Sequence, residues 1–556
     1  MSILRDFPRL NKITRVLLKH GFGAFVEGVS SSIPSIRKPT EEQLREGEKI
    51  SKKERSAIRI RKVIEELGPT FVKLGQLMST RQDLVPKEWI IEFEKLQDEV
   101  PPFSYEEAKE IIESELGQPL GDVFTIINRK PIAAGSLAQV HKAELKNGTT
   151  VAIKVQRPGI QKIIAADIRL MYEFAKSAEK HLRISELYDP VGIISEFEYT
   201  MMRELDFLIE SANTEKLHKY FEDEPNIQIP KIYSEYTSKR VLVEEFIHGT
   251  PLSKLIEEKK PDVQRGKLIV KNLVDAYMKQ IFDFRFTQVD PHSGNLIVKD
   301  DNTIGIVDLG MCTKITSRTI EHFSALFLGM MQKDVSSIVR EFKIMGIVTE
   351  DTKIPLYERD LSDLIDTYAG KPLKDINWGN LMDELFQLSY RHKMRAPTEF
   401  MNLGRAIMFL EKSARILDPD FNFMDHAQPY MSVFIEKMAS PQELSKQLIS
   451  NIQGFVRLTR DLPARLNYLL TRLEEGNLTI QIKDKNSEEH LLMRQKGTNR
   501  IGVSLLISSI IISSTLILFL EQPRFFGFPQ YSLIGYILAG LFGIVFLRWI
   551  IATIRI

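Results

Sequence analysis

The sequence predicts an α+β chain: a helical extension, a two-lobed body with one strand-rich and one helical lobe, and two apolar helices at the C-terminus. Three observations carry this. Short apolar runs broken by turn residues fill Asp122 to Val155, a strand texture. Most of the chain after Pro261 repeats its apolar residues at helical spacing. Residues 501–556 hold two uncharged runs of bilayer length. The expected parts are an extension (1–120), a strand-rich lobe (121–247), a helical lobe (248–476), a polar linker (477–500) and a two-helix tail (501–556).

The elements follow in order. Between residues 1 and 20, Arg5, Arg9, Lys12, Arg15 and Lys19 share one helix face opposite Ile3, Phe7, Leu10 and Leu17. Two readings stand: a helix lying on an anionic membrane surface, or a surface helix with a solvated charged face. Pro34 to Pro39 breaks the pattern, which resumes from Thr40 to about Leu67, stops at Gly68-Pro69 and restarts through Phe71 to Met78. The strand texture reads VFTII, SLAQVHKAEL and TTVAIKV, with Lys146-Asn147-Gly148 as a hairpin turn. Residues 160–220 are helical, Arg240 to Ile247 is a strand, and LIVKDDNTIGIVD at 296–308 is a strand–turn–strand island among helices. Ile501 to Leu520 and Tyr531 to Leu547 are the uncharged runs. Basic residues outside them (Arg494, Lys496, Arg500, Arg548, Arg555) put both ends on the cytoplasmic side. Gly535, Ala539 and Gly543 would let the two helices approach closely.

Composition narrows the classes. The 556 residues are 43% hydrophobic and 27% charged, ordinary globular usage with room for more than one core. The net charge of +1 advertises neither nucleic acid nor an acidic partner. The single cysteine, Cys312, excludes a disulfide framework and any cysteine-built zinc or iron–sulfur site, and it suits a reducing compartment. His141, His248 and His292 lack metal-ligand spacing and read as structural.

Three pieces of the middle region carry chemistry. The first is the loop Ala133-Ala134-Gly135-Ser136 with Leu137 and Val140 beyond it, followed by Val151-Ala152-Ile153-Lys154. The second is Asp290-Pro291-His292-Ser293-Gly294-Asn295, and the third is Asp308-Leu309-Gly310. Asp290 and Asn295 stand five apart, the interval of a kinase catalytic loop, and Asp308 follows one hairpin later. Phosphoryl transfer explains each residue type. Asn295 and Asp308 supply hard oxygen ligands for Mg2+, and Lys154 holds nucleotide phosphates if a carboxylate holds it in turn. Asp290 takes or orients the proton of the attacking hydroxyl or water. The small-residue loop at 133–136 lets backbone N–H groups approach phosphate oxygens. Glu210 is the first candidate to pair with Lys154 and Glu204 the second; Glu245-Phe246-Ile247 looks like a kinase hinge, whose backbone would meet the adenine of ATP.

The fold so indicated is protein-kinase-like. It departs from a conventional protein kinase at the alanine-rich loop, at Gln288-Val289 where His-Arg would precede the aspartate, and after Gly310, where no Ala-Pro-Glu platform follows.

These residues resemble the UbiB family of atypical kinases, also called AarF or ADCK. The specific matches are Lys73-Leu74-Gly75-Gln76, which looks like the family's K-x-G-Q signature, KLQDEVPPF, IAAGSLAQVHKAEL, VAIKVQRPG, VDPHSGNLIV, and Glu204-Leu205-Asp206, which looks like its E-x-D motif. The chain departs at Gln288-Val289, where many bacterial members carry His-Ala, and at Ser293, where they often carry Pro. The resemblance implies that the K-x-G-Q segment, with Gly75 in its motif, covers the cleft, and that Lys73 and Gln76 face the nucleotide together with Glu204 and Asp206. It also implies an ATP- and Mg2+-using protein of the cell inner membrane that supports isoprenoid quinone (ubiquinone) biosynthesis. Its partners would be membrane lipids, quinone precursors or quinone-biosynthesis enzymes and not nucleic acid, with a homodimer left open. Two alternatives stand beside it: a conventional phosphotransferase on a protein or small hydroxyl acceptor, and a non-catalytic nucleotide-binding membrane scaffold.

Overall fold

The computed structural model describes residues 6–30, 55–96, 100–181, 189–257, 262–349, 352–369, 376–430, 503–517 and 528–554, apart from Asp290 and Met424 and with a few further positions between these stretches. Two compact units divide the chain, Met1–Leu444 and Ser445–Ile556.

The extension is built where its sequence breaks fall. Helix Ser56–Leu67 ends at Gly68, whose φ of 98° and ψ of −161° are open to glycine and strained for any other residue. Pro69 then opens helix Pro69–Thr80 at a position where no N–H is needed. The first helix, Phe7–Lys19, packs part of its apolar face on the protein. Its apolar stripe of Leu10, Ile13, Val16 and Leu17 is buried against Val26, Val63, Leu67 and Leu170. Arg9 is spent on Asp167, a carboxylate with 0% exposure, through Nε to Oδ1 at 2.5 Å and Nη2 to Oδ2 at 2.7 Å. Of the face that would enter a lipid interface, Leu10 and Leu17 are thus occupied by the protein, whereas Phe7 is 41% exposed and Ile3 lies outside the described residues.

The strand-rich lobe is an antiparallel sheet. Its strands are β1 (Phe124–Ile127), β2 (Ala133–Ala134), β3 (Ala138–Leu145) and β4 (Thr150–Gln156), joined, after the short β5 (Ile227–Gln228), by β6 (Val241–Glu245). The order is β1-β3-β4-β6, with β2 paired to β3. The hairpin between β3 and β4 turns at the expected place, with Gly148 at φ 84°. Alternation sorts the two faces. Val151, Ile153, Val155, Val241 and Val243 pack on Ile111 and Ile112 of helix Tyr105–Leu116. That helix starts with a complete capping box, Ser104 and Glu107 each bonding the other's backbone N–H. The opposite face carries Ala152, Lys154, Leu242 and Glu244 toward the cleft, with Leu242 packed on Ala138, Phe207 and Ile232.

The helical lobe surrounds helix Val263–Met278 and helix Thr398–Leu417. Its cleft edge carries β7 (Thr250–Pro251), β8 (Phe286–Gln288), β9 (Leu296–Val298), β10 (Ile304–Ile306) and β11 (Cys312–Lys314), the first, third and fourth of them in one sheet with β5 and the other two paired together. The island expected at 296–308 is the β9–β10 hairpin, turning at Asn302 with φ 66°. The extension touches this lobe too. Lys87 Nζ lies 2.6 Å from Asp383 Oδ2, on helix Trp378–Arg391.

The second unit holds helix 503–517 and helix Gln530–Ile554. Thr515 Oγ1 and Tyr536 Oη hydrogen bond at 2.7 Å, and Gly535 faces Ser514, where any Cβ would collide with the serine hydroxyl. A Cβ on Gly543 would meet no atom of the described residues, unlike one on Gly535. Among the described residues no helix is long and apolar enough to cross a membrane, and the expected pair of spans is not confirmed. The linker placed at 477–500 lies outside the described residues.

One buried group sets a pH dependence of stability. His141 has 0% exposure; its Nδ1 donates to Asn128 O at 2.8 Å, and its Nε2 accepts from the Gln139 amide at 2.8 Å. Burial holds its pKa below the ordinary 6.5, with the Asn128 carbonyl opposing. The unfolded chain then binds the proton more readily, so stability is full above pH 6.5 and falls as pH drops below it. Urea unfolding at pH 7.5 and 5.5 should show a loss of about 1 kcal/mol more in the wild type than in His141→Gln. Equal losses in the two proteins would remove His141 as the cause.

Candidate active site

Lys154 is the centre. Strand alternation points it into the cleft, where its Nζ donates to Glu210 Oε1 and Oε2, each at 2.9 Å, and to Asp308 Oδ1 at 3.4 Å. Glu210, the first of the two candidates, is thus its partner; it stands in the first turn of helix Phe207–Tyr220. Glu204 is occupied by a different lysine, Lys73 of helix Pro69–Thr80, at 3.6 Å. Burial disfavours the charge of Lys154, but Asp308 and Glu210 outweigh it and hold its pKa above the ordinary value. Burial raises Glu210 to about 7 even against the pull of Lys154. Asp308 goes the other way: Lys154 lowers its pKa against the effect of burial, and Lys73 adds to the lowering. Lys73 therefore reaches the same cleft from the extension.

Asp308 sits at φ 58°, a left-handed conformation that an aspartate tolerates better than most residues. Its backbone is held from two sides. The Gln288 side-chain amide donates to Asp308 O at 2.9 Å and Val307 O at 3.2 Å, while its Oε1 accepts from Tyr277 Oη at 2.9 Å. Asn213, one turn beyond Glu210, donates to Leu309 O at 2.9 Å. Gln288 is the residue that stands where a kinase would have histidine; as an amide it retains a donor for the aspartate's backbone and adds a second one. Val307 N donates to Asn295 O at 2.9 Å, bringing Asn295 beside Asp308. Asp290 lies outside the described residues.

The alanine-rich loop is closed by the chain before it. Gly135 N donates to Ala138 O at 2.8 Å, folding the loop onto β3. Ala133 pairs with Val140, and Val140 with Lys154, so loop and lysine share one register. Leu137 and Ser136 are buried, and Ser136 Oγ has no hydrogen-bond partner among the described residues. Arg157, just after β4, donates to Gly135 O at 2.9 Å and to Pro101 O at 3.0 Å, tying the loop to the extension. Val100 N reaches Ala134 O at 3.3 Å. In the K-x-G-Q segment, a Cβ on Gly75 would overlap the Leu96 methyl and crowd Ile64, while Gln76 Nε2 reaches Leu96 O at 3.4 Å. Asp206 caps helix Phe207–Tyr220 by accepting from Leu208 N at 3.1 Å, so its side chain fixes the helix that carries Glu210.

At the far end of β6, Ile247 is buried, while the Glu245 side chain turns away to Gln228 Nε2 at 2.9 Å and Lys231 N at 3.2 Å. Glu245 can serve the cleft only through its backbone. Its neighbour Glu244 faces the cleft and was not singled out by the sequence reading. Burial and the charge of Glu210 push its pKa up to about 8, with Lys154 opposing. The signal was present in the alternation of VLVEE: Leu242 and Glu244 share the face that pairs with Lys154 and Ala152. Gln288, Asn213 and Arg157 were missed for a different reason. Each acts on a carbonyl far away in sequence, which no local pattern announces.

Among the described residues no group of three or more His, Cys, Asp or Glu is placed to hold a metal ion. Asn295 and Asp308 nevertheless suit Mg2+. The Asp308 side chain is 51% exposed to the cleft and kept ionised, and only one of its oxygens is engaged by Lys154, at a long 3.4 Å.

Comparison with known proteins decides the family. The family model described as the ABC1 atypical kinase-like domain matches residues 95–342, the UbiB helical domain matches 361–422, and the ABC1/UbiB kinase-like C-terminal domain matches 485–552. A probable protein kinase UbiB of Marinobacter nauticus is 33% identical over 425 residues, covering 76% of this chain and 78% of that protein. The chain belongs to the UbiB family. An uncharacterized protein of Synechocystis is 32% identical over 488 residues, covering 86% of this chain and 81% of that protein. Among solved structures, an erythromycin complex of Rv3197 from Mycobacterium tuberculosis is similar at TM-score 0.48 and 20% identity, covering 59% of this chain and 85% of that one. As in its UbiB relatives' name, the body is kinase-like, and helix Trp378–Arg391 and helix Thr398–Leu417 fall within the family's helical domain.

Gln288→Leu should remove the donor to the Val307 and Asp308 carbonyls, costing about 1–3 kcal/mol in chemical denaturation. Gln288→His, which keeps a donor, should lose less. Equal stability of Leu and His variants would show that the amide does not hold the Asp308 backbone.

Proposed function

We propose that this UbiB-family protein uses Mg-ATP as an atypical kinase or ATPase at the cell inner membrane, in support of isoprenoid quinone (ubiquinone) biosynthesis. The observation that carries the nucleotide part is Lys154 held between Glu210 and Asp308, a fixed cation joining β4, helix Phe207–Tyr220 and the Asp308-Leu309-Gly310 turn. Phosphate oxygens would take the place of the Asp308 contact on Lys154 while Glu210 keeps the ammonium aimed. The Ala133 to Ser136 loop would offer its backbone, and the unpartnered Ser136 hydroxyl, to the same phosphates. Asn295 and Asp308 would hold Mg2+, which neutralises phosphate charge when bound. Asp290 would take the proton of the attacking hydroxyl or water.

The extension favours hydrolysis, or transfer to an acceptor not yet defined, over transfer to a large docked protein. Lys73 reaches the cleft, and Lys87 fastens the same extension to the helical lobe at Asp383. The quinone part rests on the name shared by the UbiB relatives. Attachment through the apolar C-terminal helices would keep the body near bilayer-resident polyprenyl precursors at high effective concentration.

Lipid mass spectrometry on cells lacking this gene tests the whole reading. Quinone should fall and an early precursor accumulate, with rescue by the wild type and not by Asp308→Asn at equal membrane abundance. Normal quinone content in the deletion strain, with no second homologue present, would sink the pathway assignment. Rescue by Asp308→Asn would sink the nucleotide–metal chemistry.

A further inference from the structure

One carboxyl in the cleft lacks the partner that every neighbour has. Glu210 is bonded to Lys154, Glu204 to Lys73, and Glu245 to Gln228 and the Lys231 backbone. The Glu244 carboxyl makes no hydrogen bond or ion pair with any described residue, although it follows Val241 to Val243 in β6, all fully buried and apolar. Its position is fixed by register. Val241 and Val243 point into the core under helix Tyr105–Leu116, and Leu242 points to the other face against Phe207. Glu244, two residues on from Leu242, shares that face and stands directly across from Ala152. Along β4, Ala152 is two residues from Lys154, about 7 Å at ordinary strand rise. Beyond Glu244 come Glu245, Phe246 and buried Ile247. The carboxyl therefore stands between the lysine that would hold phosphates and the segment expected to meet the base.

A half-buried carboxyl without a donor is costly, and its charge is disfavoured here by burial and by Glu210. What would relieve it is an N–H group brought by the ligand. We propose that Glu244 is a base-specificity residue, its carboxylate accepting a hydrogen bond from the exocyclic amine of a 6-aminopurine nucleotide. Adenine offers that donor at its 6-position, whereas guanine and hypoxanthine place a carbonyl acceptor there. The ionised carboxylate opposite a 6-carbonyl pairs acceptor with acceptor, so 6-oxopurines are rejected unless the base shifts to offer its N1–H. This inference rests on the cleft being a nucleotide site and adds the class of nucleotide that it selects.

The test is calorimetric titration of the full-length protein, solubilised in detergent, with the magnesium complexes of ATP, ITP and GTP. ITP differs from ATP in its 6-substituent, a carbonyl in place of the amine, and in the proton that N1 then carries. At pH 8.5, above the raised pKa of about 8, the wild type should prefer ATP to ITP by about tenfold or more, as expected for a hydrogen bond to a charged group. Glu244→Gln can turn its amide to present either a donor or an acceptor and should lose most of that preference. Glu244→Leu, which fills the space without polar atoms, should weaken ATP and leave ITP nearly unchanged. Nucleotide-free melting curves select variants that are folded. An ATP-to-ITP ratio unchanged in both variants, with ATP still binding, would overturn the role of Glu244 and leave the nucleotide site standing. A wild type that binds all three equally would do the same. A wild type that binds none of them would remove the nucleotide reading itself, and this inference with it.

Discussion

The structure turns on a buried lysine. An ammonium with a side chain 20% exposed is tolerated only if its charge is answered, and Lys154 is answered twice, by Glu210 and by Asp308. Those two carboxylates come from different parts of the chain, so the requirement to satisfy one cation fixes the sheet, helix Phe207–Tyr220 and the turn after β10 relative to one another. The cleft is nonetheless electrostatically incomplete. Glu204, Glu210, Glu244 and Asp308 surround it, and Lys73 and Lys154 are the cations that face them. An excess of carboxylates around a cleft suits ligands that bring cations or donors, such as a magnesium nucleotide.

The extension belongs to this site as much as the lobes do. Arg157 binds loop and extension together through Gly135 O and Pro101 O, and Phe103 N bonds Gln139 on β3. Lys73 brings the second cation. A segment that would be read as an appendage in sequence therefore supplies charge to the cleft and backbone contacts to the loop that borders it. Its first helix, Phe7–Lys19, is committed inward by four apolar residues and by Arg9, which leaves its remaining basic residues on a solvated face.

Sequence reading recovered the elements because local rules dominate there. The Asn147-Gly148 turn, the Gly68-Pro69 break and the alternation of TTVAIKV each state their conformation within a few residues. The Lys154–Glu210 pair is also legible, since a lysine on a cleft-facing strand needs a carboxylate and Glu210, six residues after Glu204 in a helical stretch, offers one. What was not legible is the set of contacts to backbone carbonyls. Gln288 was read as a departure from a pattern, and its reason appears only once Val307, Asp308 and Tyr277 stand around it. Glu244 was passed over for Glu245, because adjacent glutamates look alike until the register shows which faces the cleft.

By itself the sequence determined the α+β composition, the order of the elements, the family and the residue types available for phosphoryl chemistry, because periodicity, turn chemistry and motif spacing are properties of neighbours along the chain. Tertiary structure decided which carboxylate holds Lys154, which glutamate enters the cleft, and where the first helix spends its apolar face. Those outcomes depend on the closure of distant segments, where burial makes an unpaired charge too costly to leave and a single register step reverses the face on which a side chain stands.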